Sequence, residues 1–284
     1  NIGGTITIRH SIFVDNIAAG QGGAVYSFVY PPDAVVIDQS TFKNNMVVSD
    51  SRGDAFGGGL RQGNGDLFLS NSTFAGNVAR SQGGAFWRGE EGYATLTNVT
   101  FSGNRAVSND TTGTGGLGGA IAGGELVCTN CTVAGNHAGY LGGAIFGGNN
   151  ITLRNTIIAN NTAFNDGHNW NINQNCSDSL IDGGNNMQFP AKNPNDSGDP
   201  NCTASITIAD PKLAPLANNG GATQTMALLQ NSPAIDAGNP ATCPAWDQRG
   251  YVRQGPCDIG AYEFGGTPFV PTRFVYLPLV LRRS

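Results

Sequence analysis

The sequence predicts an all-β chain: a single right-handed parallel β-helix, or solenoid, of about six coils, followed by a C-terminal capping segment and an extended, strand-like tail. Three observations predict it. Six eleven-residue segments align without gaps, and each ends in Asn. A Gly-Gly pair leading into a short apolar strand follows five of them. The composition is that of a chain full of turns: of 284 residues 42 are Gly and 14 are Pro, and only 12% are charged, about half the usual share.

The segments are ITIRHSIFVDN (6–16), VVIDQSTFKNN (35–45), LFLSNSTFAGN (67–77), ATLTNVTFSGN (94–104), LVCTNCTVAGN (126–136) and ITLRNTIIANN (151–161). Their terminal residues, Asn16, Asn45, Asn77, Asn104, Asn136 and Asn161, recur at intervals of 29, 32, 27, 32 and 25 residues. Each segment opens with a strand period: Leu67 and Leu69 fall on one face, Phe68 and Ser70 on the other. Leu69 and Phe74 both point inward only if the chain bends near Asn71. Asn suits a bend, because it tolerates the left-handed backbone conformation and its side chain can bond neighbouring backbone.

The Gly-Gly elements are Gly22-Gly23-Ala24-Val25, Gly58-Gly59-Leu60, Gly83-Gly84-Ala85-Phe86, Gly118-Gly119-Ala120-Ile121 and Gly142-Gly143-Ala144-Ile145. They read as a second corner. In the second and fourth units extra polar or Gly-rich residues precede the pair, and 46–57 and 105–117 read as surface loops on one side of the molecule. One such unit cannot bury its own apolar face. Stacked units bury a continuous column, with ladders at the Asn, Phe and Leu positions. The hand follows from the general preference for right-handed crossovers. A leucine-rich repeat would need a Leu-spaced consensus, and a propeller a Trp-Asp or kelch signature; neither is present. The organisation expected is repeat coils over 1–161, an irregular disulfide-containing flank over 162–209, C-terminal coils and cap over 210–264, and a hydrophobic tail over 265–284.

Composition excludes other classes. Low charge with 14 Phe is unlike a disordered chain. Gly lacks the three-residue period of collagen. Glu is too scarce for a coiled coil. A net charge of −5 gives no basic face for nucleic acid. No run of about 20 apolar residues is present to cross a membrane as a helix. The chain opens at Asn1 inside a patterned segment, as a mature product or a fragment would. Six Cys, at 128, 131, 176, 202, 243 and 257, indicate an oxidising, extracytoplasmic compartment, with 15 pairings possible. Cys176 and Cys202 are close enough in sequence to staple the flank. Cys128 and Cys131 lie on a strand and corner, so a local disulfide or two buried thiols is expected there rather than a redox centre, which needs a helix N-terminus.

At ADPKLAPLANNGGATQTMALL, SPAIDAG, DQRG and CDIGAYEF (209–264) the chain resembles the C-terminal region of bacterial surface β-helix proteins. These are related to the chlamydial polymorphic outer-membrane-protein repeats and are often called choice-of-anchor Q proteins. The resemblance implies an exported surface protein without established catalysis. It also implies a Cys243–Cys257 disulfide and a last, capping coil in which Asp236, Asp247, Arg249 and Asp258 form a buried polar lock. The final residues, TPFVPTRFVYLPLVLRRS, resemble tails of exported proteins from filamentous green bacteria. A free apolar strand is an aggregation hazard, so Phe274, Val275, Tyr276, Leu277, Leu279, Val280 and Leu281 are expected to dock, as an assembly tail.

No catalytic constellation emerges. Arg9, Asp38, Arg88, Glu90, Glu91, Glu125 and Arg154 are the candidates for an outer-face site. Only Arg9, Asp38 and Arg154 share a repeat position, and Arg9 can pair with Asp38 as an exposed ion pair of little weight. His10 occupies a corner slot. His137 and His168 lack partners at zinc spacing. No cofactor is expected, with Ca²⁺ conceivable only in the Asp-rich loop from Asp196 to Asp210. The many Asn-x-Thr sequons follow from the corner consensus, and Asn109, in a long loop, is the best candidate for glycosylation.

The chain is therefore expected not to be an enzyme. It reads as an exported bacterial protein of the cell surface or exterior whose subunits form a homopolymer, head to tail. The first coil has no polar lid, and the tail of one subunit adds to the next by β-augmentation. Contact with glycans or the cell envelope is the other partner expectation. A polysaccharide lyase or hydrolase on the same scaffold and a tail-anchored adhesin are the alternatives.

Overall fold

Alternating apolar residues set the first strand of every repeat. Leu67 and Leu69 are buried, whereas Phe68 between them is 49% exposed. The strand ends where Asn71 turns with φ 48°. Thr73–Ala75 follows and puts Phe74 back inside. Gly76, φ 65°, makes the next corner. The computed structural model describes residues 4–89, 91–108, 115–148, 150–164, 174–192 and 199–269. Among them there is no helix, and the chain forms a parallel β-solenoid of about six turns.

Four sheets make its walls. The first holds Ile6–Arg9, Ala34–Asp38, Asp66–Ser70, Ala94–Thr97, Leu126–Thr129, Ile151–Arg154 and Ile181–Asp182, in that order. The second stacks Ile12–Val14, Thr41–Lys43, Thr73–Ala75, Thr100–Ser102, Thr132–Ala134, Ile157–Ala159, Met187–Phe189 and Thr207–Ile208. The third includes Ile17–Gln21, Met46–Val48, Val78–Ala79 and Arg105–Ala106, and the fourth includes Val25–Ser27, Leu60–Gln62, Phe86–Arg88 and Ile121–Gly123. Every pairing within these walls is parallel and in register, for example Leu69 with Ile37 on one side and Leu96 on the other.

The register turns the sequence repeat into columns. Phe13, Phe42, Phe74 and Phe101 stack with ring centroids 4.9, 4.4 and 5.1 Å apart, and offset stacks of this kind add to simple area burial. Ile37, Leu69, Leu96, Cys128 and Leu153 form a second column in the same core. At the corner before the fourth sheet the first Gly has positive φ, as at Gly83 with 64°. The second leaves no room for a side chain: a Cβ on Gly84 would fall 2.1 Å from the Gly119 carbonyl oxygen. The rungs meet there backbone to backbone.

Four expectations need correction. The third sheet was not foreseen, and Met46–Val48 and Arg105–Ala106 are its strands, so the two surface loops begin later than 46 and 105. In the second unit the corner pair is Gly57-Gly58, because Leu60 pairs with Val25 and Gly59 takes the Ala slot. The flank over 162–209 is not wholly irregular: Ile181–Asp182, Met187–Phe189 and Thr207–Ile208 continue two of the sheets. It also closes the C-terminal end, since Cys176, Leu180 and Cys202 are buried in the main core with Ile206 packed against it. Residues 210–264 are consequently not an end cap. They run along the outside of the second sheet as a strap. Leu228, Ala234 and Ile259 bury Ala134, Ile157 and Met187 in a second, external core.

Candidate functional site

Two structural devices and one surface stand out. The first device is the Asn ladder. Asn16, Asn45, Asn77, Asn104, Asn136 and Asn161 follow one another at one-rung spacing, and Asn175, which the repeat did not reveal, extends the series. From Asn45 to Asn175 each Oδ1 accepts the backbone N–H and a side-chain N–H of the previous Asn, as Asn104 does from Asn77 at 3.0 and 2.9 Å. From Asn45 to Asn161 each Nδ2 donates onward and back, as Asn104 does to Asn136 Oδ1 and to the Phe74 carbonyl. These residues do not make the bend themselves. The left-handed turn belongs to the residue before them: Asp15, Asn44, Gly76, Gly103, Gly135 and Asn160.

The second device is the strap's attachment, and it uses the other corner. Asn71, Asn98, Asn130, Asn155 and Asn185 all have φ between 46 and 52°. Asn98 donates to the Trp246 carbonyl, Asn130 to those of Asp258 and Gly260, and Asn185 to that of Ala237. Thr two residues later joins in: Thr73 donates to the Gln224 carbonyl, Thr100 to Gln248 Oε1, and Thr132 accepts the Ala261 N–H. The signal was in the sequence. Asn-x-Thr appears in the third, fourth and fifth units but not in the first two, which carry His10-x-Ile12 and Gln39-x-Thr41.

Within the strap, the polar cluster is larger than Asp236, Asp247, Arg249 and Asp258. Arg249 pairs with Asp247 at 2.6 Å, its guanidinium lying over Tyr251 and Tyr262. Arg253 pairs with Glu263 at 2.9 Å and donates to Asn98 Oδ1 and the Gly260 carbonyl. All four of these ionic side chains are at most 4% exposed. Asp258 accepts N–H bonds from Asp236 and Phe264, so Asp236 contributes its backbone. Burial, chiefly, pushes Asp258 up to about 6. The N–H groups of Phe264 and Asp236 pull the other way, while the charge of Glu263 adds to the rise.

A carboxylate with a raised folded-state pKa makes the native state bind protons more readily than the unfolded chain. Its contribution to stability therefore grows as pH falls from about 7 toward about 4. The strap's amides should be better protected from hydrogen exchange at pH 5 than at pH 7 after correction for the intrinsic rate. The gain should be absent in Asp258→Asn.

Disulfides join Cys128 to Cys131, Cys176 to Cys202 and Cys243 to Cys257. The first staples the corner between the first two sheets, the second the closed end, the third the strap. Of the outer-face candidates, Arg9, Asp38 and Arg154 do share one column. Asp38 spends an oxygen on Ser70 and Asn71 instead of an ion pair with Arg9. Arg88 is a correction: it points inward, 1% exposed, and donates to the carbonyls of Gly63, Gly89 and Glu91. Burial, then the charge of Arg105, hold His137 below the usual histidine range, and its ring lies 2.9 Å from Thr162 Oγ1. Asp210 accepts the Lys212 N–H. Among the described residues no group of three or more His, Cys, Asp or Glu could hold a metal ion. Glu90, Asn109, His168, Asp196 and the tail residues Phe274, Val275, Tyr276, Leu277, Leu279, Val280 and Leu281 lie outside the described residues.

The surface is the first rung. Its inward residues Ile6, Ile8, Phe13 and Val25 are only partly buried, whereas the equivalents one rung on are fully covered. Ile6–Arg9, Ile12–Val14 and Val25–Ser27 each pair on one side only among the described residues. The strap stops short of this rung, and Ile12 and Ile17 are 75% and 72% exposed. The rung also holds the Phe, Asn and Gly-Gly-Ala signature of the repeat in one piece.

Residues 10–27 match the Chlamydia polymorphic membrane protein (Chlamydia_PMP) repeat. The matched stretch carries Phe13, Asn16 and Gly22-Gly23-Ala24, one residue set for each of core column, ladder and corner. The repeat and the parallel solenoid together fit a bacterial surface β-helix protein. No curated protein and no solved structure matches the chain. No helix among the described residues is long and apolar enough to cross a membrane.

Proposed function

We propose that this chain is an exported bacterial surface protein, of the choice-of-anchor Q kind, whose subunits assemble head to tail into an extracellular filament. In this reading the C-terminal tail of one subunit docks on the first rung of the next. The observation that supports it is the first rung. Its strands offer unpaired edges on one side among the described residues, and its core residues are half-buried. Its outer face, uncovered by the strap, presents Ile12, Val14 and Ile17. Edges of this kind template strand addition. A contact between two different surfaces of the same molecule does not close, and so it propagates. The opposite end is shut by the Cys176–Cys202 staple and its neighbours, which leaves the tail as the donor. The role is structural rather than catalytic, without a cofactor.

Deleting 270–284 tests the mechanism while sparing Thr267–Pro268, which pairs with Tyr251–Val252. Electron microscopy and light scattering should show polymers for the full chain and soluble monomers for the deletion. Ile12→Ser combined with Ile17→Ser should behave like the deletion. Polymers that persist without the tail would sink the mechanism, and turnover of pectin-like glycans would sink the non-enzymatic reading.

A further inference from the structure

We infer that the groove between the strap and the second to fourth corners is a binding site for a neutral sugar ring. This goes beyond the assembly reading and does not depend on it. The groove has a volume of about 430 Å³ and is lined by Gln39, Asn71, Thr97, Asn98, Trp246 and Phe269, among others, within the range of small-ligand sites. Trp246 is 50% exposed and Phe269 57%, their rings edge to face at 6.0 Å. Two large exposed aromatics meeting with their planes 70° apart on a chain with only three Trp are a costly surface feature. An aromatic face beside polar groups suits a ligand that is apolar on one side and hydroxylated on its edge.

The polar wall is set by the solenoid. Gln39, Asn71 and Asn98 occupy the same corner slot on successive rungs, about 4.8 Å apart, close to the width of a pyranose ring. Asn98 is consumed by the strap and by Arg253. Asn71 Oδ1 accepts one bond, from Asn98, and retains a lone pair. The Gln39 backbone N–H is spent on the Ser70 carbonyl, whereas its side-chain carboxamide and the Thr97 hydroxyl make no hydrogen bond among the described residues and remain for a ligand. Charge decides the class. Among the described residues the one ionic group lining the groove is Asp247, which is 0% exposed. Its oxygens take the N–H groups of Arg249, Tyr251 and Glu263 as well as Arg249 Nε. The wall therefore offers hydrogen bonds and an aromatic face without charge, which matches an uncharged sugar and not a uronate or a phosphate.

The test is isothermal titration and saturation-transfer NMR of the full-length protein with cellohexaose, mannohexaose and xylohexaose, with polygalacturonate as the acidic control. At least one neutral oligosaccharide should bind saturably. Trp246→Ala should weaken it at least tenfold, and Gln39→Ala, on an open corner, severalfold. Strap amide protection reports that both variants are folded. Three results would overturn the inference: no saturable neutral ligand, equal binding of polygalacturonate, or affinity unchanged in both variants. Binding that appears only after deletion of 270–284 would also overturn it, by assigning the groove to the tail.

Discussion

Asn104→Ala is expected to destabilise the solenoid by about 3–5 kcal/mol, the sum of two or three buried polar groups left without partners at about 1–3 kcal/mol each. Asn104 sits mid-ladder, fully buried. Its loss strands the backbone N–H and one side-chain N–H of Asn77 and takes one donor from the Phe74 carbonyl in a dry interior. It also takes one donor from Asn136 Oδ1. Asn16→Ala is the internal control. Asn16 is exposed and its side chain makes one bond, donating to Asn45 Oδ1, so its removal should cost a few tenths of a kcal/mol. Urea denaturation of the two variants measures the difference. Similar costs at both positions would show that the ladder contributes propensity at a turn and not a network.

Glu263→Gln should release the strap before the solenoid unfolds. The substitution removes the counter-charge of Arg253 from a site where both side chains are at most 3% exposed. An uncompensated buried charge costs about 3–5 kcal/mol. Glu263 also accepts the N–H groups of Gln254 and Asp258, and Arg253 reaches Asn98 on the solenoid. The loss is thus transmitted to the attachment, and amide exchange should accelerate across 223–263 while Leu69 and Phe74 stay protected. Replacing both partners, Arg253→Met with Glu263→Leu, should recover much of the stability, because the desolvation cost goes with the charges. Unchanged strap protection in Glu263→Gln would mean that the disulfide and backbone bonds alone hold it.

The walls made by the eleven-residue segments were legible because their residues act at short range. Alternation sets which way Leu67 and Leu69 face, and Asn71 accepts a left-handed φ without help from the rest of the chain. The third sheet was not legible. Its inward positions are mostly single small residues such as Ala79, Ala106 and Ala138, and two-residue strands carry no period to read. Arg88 was misplaced for a related reason: a charged residue reads as solvent-facing until carbonyls from Gly63 and Glu91 are seen to surround it. The groove at Trp246 brings together residues 39, 97, 246 and 269, and no local pattern links them.

By itself the sequence determined the rung: a repeating unit whose apolar, Asn and Gly positions can be satisfied only by a copy of themselves above and below. Tertiary structure alone decided where residues 210–264 go, and with them the buried ion pairs and the groove. A repeat is a short-range code, since each position meets its own equivalent one turn away. The strap meets the solenoid through contacts more than a hundred residues apart, such as Asn98 with Trp246 and Thr132 with Ala261. Those contacts depend on which corner Asn and Thr the stacked rungs leave facing outward, and that exists only once the stack has formed.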